Sequence, residues 1–444
     1  PAAAPHARGA GAPGRWRAAA RLRARPAASG AMMAAQQSLR RTNSKLGDQG
    51  EYSAVPTSNG ERGSSEGDGP ANDCEGGLNI IKGQPVLACM LVFVPIGYAA
   101  HFMGMSAPVV FGCNFLAIIP LAWLIGKSTE DVSASVGQTF GGLLNATMGN
   151  IVEMLLCIAG IRNNEIVVVQ CTLLGSILSN LLLVLGTAFF VGGLYKSTQT
   201  YSQQGAATQC SLMAMTVFAI GLPTIYANIL RQDSEFEHMV EVSRWSSVFL
   251  LFTYSAYLYF QLGTHRSLFE GEDDEDEEPP DLTPFTAGVL LAVTTVVTTF
   301  STDFLIHAIK GTVTSWGVSK EFIGIILLPI IGNAAEHYTA ITVAVRDKMD
   351  LSLGVAAGSS CQMGLLVTPF TVLVGWAYGV EMTLDFHSFQ LAVLLLAVVL
   401  ATSILGNGQS NWLEGLMLLI PYIIVALIYF FEGSGEDSSL ATLA

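Results

Sequence analysis

The chain contains a series of apolar stretches about 20 residues long, separated by short polar or charged stretches. A helix of that length crosses the roughly 30 Å hydrocarbon core of a bilayer. Only 13% of the 444 residues are charged, about half the share of ~25% in soluble domains. The pattern predicts an all-α polytopic membrane protein, whose main partner is the lipid bilayer, and it excludes a soluble globular domain.

The apolar stretches predict about eleven transmembrane helices. One extra N-terminal helix precedes two groups of five, which occupy residues 107–262 and 285–431. The predicted spans are 85–104, 107–126, 137–161, 164–194, 209–230, 246–262, 285–310, 321–346, 351–378, 387–405 and 412–431. Residues 1–80 lack an apolar run and predict a disordered tail, and 432–444 form a C-terminal tail.

The linker over residues 263–284 contains an acidic block. Glu270–Glu278 holds eight acids in nine residues, and much of the net charge of −14 comes from it. Among these acids we single out Glu270, Asp273, Asp274, Glu275 and Asp276 as candidates for gating or regulation. The block either binds calcium loosely, as a buffer or sensor, or is a solvated loop, because it lacks the ligand spacing of an EF-hand. No basic cluster indicates a nucleic-acid partner.

The two groups of five share a motif. Gly149–Glu153 reads GNIVE and Gly332–Glu336 reads GNAAE, 183 positions later. The same offset relates Gly175-Ser176 to Gly358-Ser359. Because each group has an odd number of helices, equivalent helices must cross in opposite directions. The sequence therefore predicts inverted repeats, which place a substrate site near the midplane.

Each motif puts one carboxylate inside an apolar helix. A charge at that depth costs roughly 2.5–3.5 kcal/mol on insertion scales, so Glu153 and Glu336 need a reason to be there. Asn150 and Asn333 precede them by three positions, on the same helix face. Carboxylate and amide oxygens are the ligands that calcium prefers. One divalent ion or two protons neutralise the pair, which predicts cation exchange with proton coupling; the alternative is a pair that only fastens helices together.

Polar residues in the following helices form a second set of candidate ligands. These are Ser176 and Ser179 in the first half, and Ser359 and Gln362 in the second. Their glycine neighbours allow close backbone approach or a helix break that frees carbonyls. The alternative is helix packing through small residues.

Three further polar residues lie in the second half. His337 follows Glu336, and its ordinary pKa of about 6.5 suits a proton relay or pH sensor; the alternative is a core histidine. Asp303 and His307 stand four positions apart on one helix, where they can pair in a structural or gating role.

No nucleotide-binding motif is found, which argues against a primary pump, and no cofactor is expected. The chain is expected not to be an enzyme, and homo-oligomerisation stays open. Basic residues flanking the spans divide almost evenly between the two sides of the membrane. Arg40, Arg41 and Lys45 in the N-terminal tail favour a cytosolic position for that tail.

Two long motifs carry a family resemblance over residues 80–435. The run Gly141–Glu153 and the run Gly332–His337, followed by Gly358-Ser359-Ser360, resemble the two repeats of the cation/proton exchangers, the vacuolar calcium/proton antiporters of plants and fungi. The resemblance implies calcium entry into an acidic store such as the vacuole in exchange for protons, with manganese or other divalent ions as further cargo. It also implies that the repeat glutamates bind the cation. Ile151-Val152 departs from the usual motif, which leaves the metal preference open.

Three rival functions remain open at this stage. A sodium-coupled calcium exchanger would share the architecture, and only the coupling ion separates it from a proton antiporter. A calcium-selective channel would conduct without counter-transport. A calcium sensor would depend on the acidic block.

Deletion of residues 270–281 separates a transporter from a sensor. We expect calcium uptake into vesicles to persist in this variant with an altered calcium affinity or regulation, because the repeat motifs are left intact. Complete loss of uptake in a correctly folded variant would instead assign the function to the acidic block.

Overall fold

The computed structural model describes residues 73–136, 138–229, 236–265 and 280–433. Its helices before the charged linker are α1 (Asp73–Gly83), α2 (Pro85–Met90), α3 (Phe93–Phe102), α4 (Ala107–Ser135), α5 (Gln138–Met148), α6 (Ile151–Arg162), α7 (Ile166–Leu178), α8 (Leu185–Tyr195), α9 (Gln203–Ile229) and α10 (Phe236–Tyr259). After the linker follow α11 (Pro284–Trp316), α12 (Lys320–Phe322), α13 (Leu328–Gly332), α14 (Ala334–Val345), α15 (Met349–Gln362), α16 (Thr368–Tyr378), α17 (Ser388–Leu405) and α18 (Trp412–Gly433).

Short π-helical and β segments complete the described structure. The π segments are Ser179–Val184, Phe260–Thr264, Ile323–Leu327 and Met363–Val367. Strand β1 (Gln199–Thr200) pairs antiparallel with β2 (Gln409–Ser410), with Gln199 opposite Ser410. Most of the predicted N-terminal tail, nearly all of the predicted C-terminal tail and the acidic candidates Glu270, Asp273, Asp274, Glu275 and Asp276 lie outside the described residues.

The predicted class, a helical protein with many membrane spans, is confirmed. Within the described residues, eight helices are long and apolar enough to cross a membrane, and the number rises to ten when each of two bent helix pairs counts as one span. The predicted span 246–262 overlaps α10, which does not reach that apolar standard. Glu241, Arg244 and several hydroxyl side chains dilute its hydrophobic content. The predicted count of eleven spans is therefore not confirmed.

The two glutamate motifs lie at breaks in the helices. The axes of α5 and α6 differ by 45°, and the helix that ends in α13 differs from α14 by 56°. Asn150 and Asn333 are the N-cap residues of α6 and α14, and Glu153 and Glu336 lie in the first turns. The sequence predicted these residues on one face of an uninterrupted helix. The break replaces that arrangement with a helix terminus, which leaves backbone groups without intrahelical partners.

The sequence repeat extends to the backbone conformation. Among the described non-glycine residues, two have positive φ: Asn164 (56°) and Asp347 (64°), which are 183 positions apart. Each follows the half-helix that carries a motif glutamate. Asn and Asp tolerate the left-handed region better than most residues, so both positions have a side chain that suits this turn. The π segments Ser179–Val184 and Met363–Val367 also begin at nearly equivalent positions.

Burial separates a central layer of helices from a peripheral one. In the candidate spans Ile166–Tyr195 and Met349–Tyr378, 78% and 72% of the most apolar window is buried, against 11% in Pro85–Phe102. Peripheral helices expose large apolar side chains such as Phe218 on α9 and Phe252 on α10. These exposed faces suit contact with lipid, while the buried helices carry the motif neighbours.

Glycines bring the central helices of the two halves into backbone contact. A Cβ atom at Gly175 would lie 2.4 Å from the Ile325 carbonyl oxygen, and one at Gly324 would lie 2.5 Å from the Cys171 Cβ. Helix α7 therefore touches the π segment Ile323–Leu327 along its backbone. Of the roles considered for Gly175, close packing is the one observed.

Gly175→Ala tests this contact. We expect a destabilisation of about 1–3 kcal/mol, the usual cost of overpacking, because neither backbone can move without shifting the motif helices. Thermal unfolding in detergent measures it. Gly354→Ala on α15 is the matched control, since nothing lies within 4 Å of its added Cβ and alanine favours helix. Equal melting temperatures for the two variants would contradict the close contact.

Candidate functional site

The structure brings the two motif glutamates together. Glu153 is 1% exposed, Glu336 is partly buried, and the two carboxyl groups interact electrostatically. Glu153 also reaches the break in the other half: a Cβ at Gly332 would lie 2.7 Å from its Oε1. The glycine of the second motif thus leaves room for the carboxylate of the first.

Each motif asparagine donates to the Gly-Ser helix of the other half. The Asn333 Nδ2 donates to the Ser176 carbonyl oxygen at 3.1 Å. The Asn150 Nδ2 donates to the Gln362 Oε1 at 2.5 Å and to the Ala146 carbonyl oxygen at 3.2 Å. The bonds to Ser176 and Gln362 cross between the halves, so the four polar elements predicted from sequence form one site.

Ser359 is at the centre of the polar contacts. Its Oγ accepts a hydrogen bond from Asn180 Nδ2 at 2.9 Å and lies 3.5 Å from both Glu336 Oε1 and Asn150 Oδ1. Asn180 was not among the predicted site residues. The sequence feature that could have identified Asn180 is its amide side chain within an apolar run. Its repeat equivalent, 183 positions later, is Met363, so the repeat did not point to it.

Several buried oxygen atoms in this cluster have no hydrogen-bond partner. They are Glu153 Oε1 and Oε2, Asn333 Oδ1, Ser176 Oγ and Asn180 Oδ1. Leaving such atoms unpaired costs about 1–3 kcal/mol each, more for a charged group. Hard oxygens of this kind are the ligands of calcium and similar cations. The cluster is chemically suited to hold a cation or to be neutralised by protons.

Neutral oxygens outnumber the carboxylates in this cluster. No group of three or more His, Cys, Asp or Glu side chains that could hold a metal is found within the described part of the chain. Two carboxylates with amide and hydroxyl oxygens form a cluster with few charged ligands. Such a cluster suits a cation that must also leave.

Two predicted residues have partners other than the carboxyl pair. Ser179 is buried and interacts with Tyr422 of α18. The His337 Nε2 is 3.0 Å from the Thr187 Oγ1 on α8. His337 is thus held by a polar partner in the other half, and its role as a proton relay stays a prediction. Thr187 is a second contact that the sequence did not single out.

Asp303 has partners outside its own helix. It lies 3.8 Å from the Arg162 Nη1 and accepts a hydrogen bond from Asn163 Nδ2 at 3.2 Å. His307 packs near the ring of His101, with ring centroids 6.3 Å apart. The structure therefore ties Asp303 to the end of α6 in place of the predicted contact with His307. A gating role for the two residues stays a prediction.

Ion pairs hold the loops that follow the two glutamate half-helices. Glu165 pairs with Lys320 and Asp347 pairs with Lys196, both at 2.5 Å. Hydrogen bonds from Lys196 and Gln199 lower the pKa of the Asp347 carboxyl below its ordinary value. The loop after α14 is therefore bound to the end of α8, and the loop after α6 to the start of α12.

Broken helices meeting at a shared polar site define a membrane transporter of the secondary type. A family model described as sodium/calcium exchanger protein matches residues 106–263 and 286–431. The chain belongs to this family of transporters, which are not enzymes.

Curated relatives share most of the chain. It is 42% identical over 367 residues to a protein of Synechocystis named Ca(2+)/H(+) antiporter, covering 78% of this chain and 97% of the relative. It is 39% identical to the vacuolar cation/proton exchanger 2 of Arabidopsis thaliana, covering 81% and 84%. It is 40% identical to the vacuolar calcium ion transporter of Schizosaccharomyces pombe, covering 77% and 84%.

Solved structures share the fold. The chain superposes on native YfkE with a TM-score of 0.67 at 30% identity, covering 78% of this chain and 100% of that one. A second structure, titled H+/Ca2+ exchanger CAX, superposes with a TM-score of 0.60 at 14% identity, covering 80% and 93%. The second likeness concerns the fold alone.

Gly332→Ala tests the contact between the two motifs. The added methyl would displace the Glu153 carboxylate, and we expect calcium binding to the purified protein to weaken at least tenfold. Gly354→Ala is the control that adds a methyl without a neighbour. If the effect acts through Glu153, Gly332→Ala adds little in a Glu153→Gln background. Full additivity of the two changes would contradict the contact.

Proposed function

We propose that this protein exchanges calcium for protons across the membrane of an acidic store such as the vacuole. One observation carries the proposal: two carboxylates, Glu153 and Glu336, interact electrostatically at paired helix breaks, and both Glu153 oxygens lack hydrogen-bond partners. The names of the curated relatives support calcium as cargo, the proton as counter-ion and the vacuole as the membrane.

The charge of the pair accounts for the exchange. Two bare carboxylates repel each other in a site of low dielectric, so the empty, doubly charged state is costly to move. One divalent cation or two protons remove that cost. Because both cannot occupy the same oxygens, binding of one releases the other. The pair titrates as a unit, and neither glutamate has a private role as cargo ligand or proton carrier.

Neutral oxygens complete the proposed cation shell. Asn333, Ser176 and Asn180 each offer an unpartnered oxygen, and Asn150 and Ser359 approach Glu336 through the shared polar network. Gln362 and Ser179 are weaker candidates for cation ligands, because each already has another partner. Gln362 accepts a hydrogen bond from Asn150, and Ser179 interacts with Tyr422. Manganese and other divalent ions that prefer oxygen ligands fit the same shell.

The halves are proposed to rock about this shared site. Residues 107–262 and 285–431 form inverted repeats in this proposal, with 85–104 as an extra helix and the N-terminal tail in the cytosol. Cross-half contacts such as Asn333–Ser176 are then made and broken as the site opens to either side. Each proton that moves down one pH unit supplies about 1.4 kcal/mol.

Vesicle uptake driven by a pH gradient tests the proposal. With an acidic interior and no other energy source, we expect calcium uptake by the purified, reconstituted protein. Glu153→Gln and Glu336→Gln keep the side-chain volume but remove the charge, and uptake should fall at least a hundredfold in each. Glu381→Gln, in an exposed loop outside the site, is the matched control and should transport as the unchanged protein does.

Replacing the driving ion separates the rivals. Uptake that survives collapse of the pH gradient but needs a sodium gradient would overturn proton coupling and favour the sodium-coupled exchanger. Unitary calcium currents in a planar bilayer would indicate a channel. Normal uptake in both glutamine variants would remove the carboxyl pair from the mechanism.

A further inference from the structure

A second polar cavity lies away from the glutamate pair. It has a volume of about 400 Å³ and forms where the start of α7, α12 and the start of α17 meet the end of α18. Its polar lining includes Gln170, Glu321, Asp385, Gln390, Tyr429 and Glu432. The space is sufficient for a hydrated divalent ion.

Hydrogen bonds fix the walls of this cavity. Gln170 Nε2 donates to the carbonyl oxygens of Thr383 and Asp385, at 3.1 and 2.9 Å. Thr224 on α9 donates to the Leu384 carbonyl oxygen and accepts from the Phe386 N–H, both at 3.0 Å. The loop between α16 and α17 is therefore bound to two neighbouring helices, and the cavity wall is preorganised.

The charge around the cavity is strongly negative. Glu321, Asp385 and Glu432 contribute three carboxylates, and His387 is a basic residue in the same lining. Lys320 lies next to Glu321, but its ammonium is 2.5 Å from Glu165. Neither Glu321 nor Glu432 forms an ion pair with another residue of the described ranges. The summed field of such carboxylates attracts cations.

Tyr429 provides an observation independent of the acidic cluster. The residue is 2% exposed, lines the cavity, and its hydroxyl has no hydrogen-bond partner. The hydroxyl interacts electrostatically with both Glu321 and Glu432. A buried phenol that lines the same cavity as two carboxylates offers an oxygen to a cation that they hold.

The cavity is separate from the exchange site but shares a helix with it. Val167 at the cavity and Ser176 at the exchange site are nine residues apart on α7, about 14 Å along the helix axis. The cavity lies at the start of the candidate span Ile166–Tyr195, whereas Lys196 follows the other end of that span. We propose that it binds a divalent cation in a hydrated, weak site, through Glu321, Glu432 and Tyr429. We further propose that this site loads or unloads the exchange site, and that role rests on the proposed function. Cation binding at the cavity does not depend on the proposed function.

Manganese binding to the full-length purified protein tests the proposal. Glu153→Gln with Glu336→Gln provides a background without the carboxyl pair, and electron paramagnetic resonance counts bound Mn²⁺. We expect Glu321→Gln with Glu432→Gln to remove one bound ion per chain from that background. Glu381→Gln removes an exposed carboxylate from the loop between α16 and α17 and should change nothing. Equal Mn²⁺ binding with and without Glu321 and Glu432 would overturn the proposal.

Tyr429→Phe provides a second test in case the variant with four glutamines does not fold. It removes one oxygen, leaves every charge in place, and should weaken the same Mn²⁺ site about threefold; unchanged affinity would count against the site. In vesicles with calcium supplied at this face, Glu432→Gln should raise the KM for calcium several-fold and leave kcat nearly unchanged. If transport proved not to be proton-coupled, the proposed function would fail while the Mn²⁺ result stood.

Discussion

The rest of this structure depends on the free-energy cost of keeping two carboxylates inside a membrane protein. An isolated charge at that depth is unfavourable by several kcal/mol, and no described basic side chain forms an ion pair with Glu153 or Glu336. The surrounding polar atoms reduce the cost only in part, since both Glu153 oxygens lack hydrogen-bond partners. In the proposed exchange, a cation or two protons neutralise the site, and this requirement links occupancy to movement.

The halves meet through contacts that only small or amide side chains can make. Gly175 and Gly324 let α7 touch the π segment Ile323–Leu327, and Gly332 makes room for the Glu153 carboxylate. Asn333 crosses to the Ser176 carbonyl. Each contact joins one repeat to the other, so a shift of one half must change the oxygen shell. The residues that pack the two halves together are therefore also those that surround the carboxyl pair.

Sequence reasoning found the carboxyl pair, the asparagines and the Gly-Ser helices because each has a repeat partner at the 183-residue offset. It did not single out Asn180 or Thr187, whose contacts arise where helices from different halves meet. Helical spacing also allowed Asp303 and His307 to pair, and in the structure Asp303 contacts Arg162 and Asn163. Spacing along a helix says which residues share a face, but not which neighbour that face meets.

The amino-acid sequence by itself determined the membrane-spanning helical class, the repeat and the residues that carry charge into the apolar interior. These follow from local properties: the length of apolar runs, the identity of motif residues and their spacing. Only the tertiary structure decided that the helices break at the motifs and that Glu153 lies against Gly332. It also brought Glu321, Tyr429 and Glu432 to one cavity from two separate helices. Such juxtapositions depend on the packing of segments far apart in the chain, which no local pattern encodes.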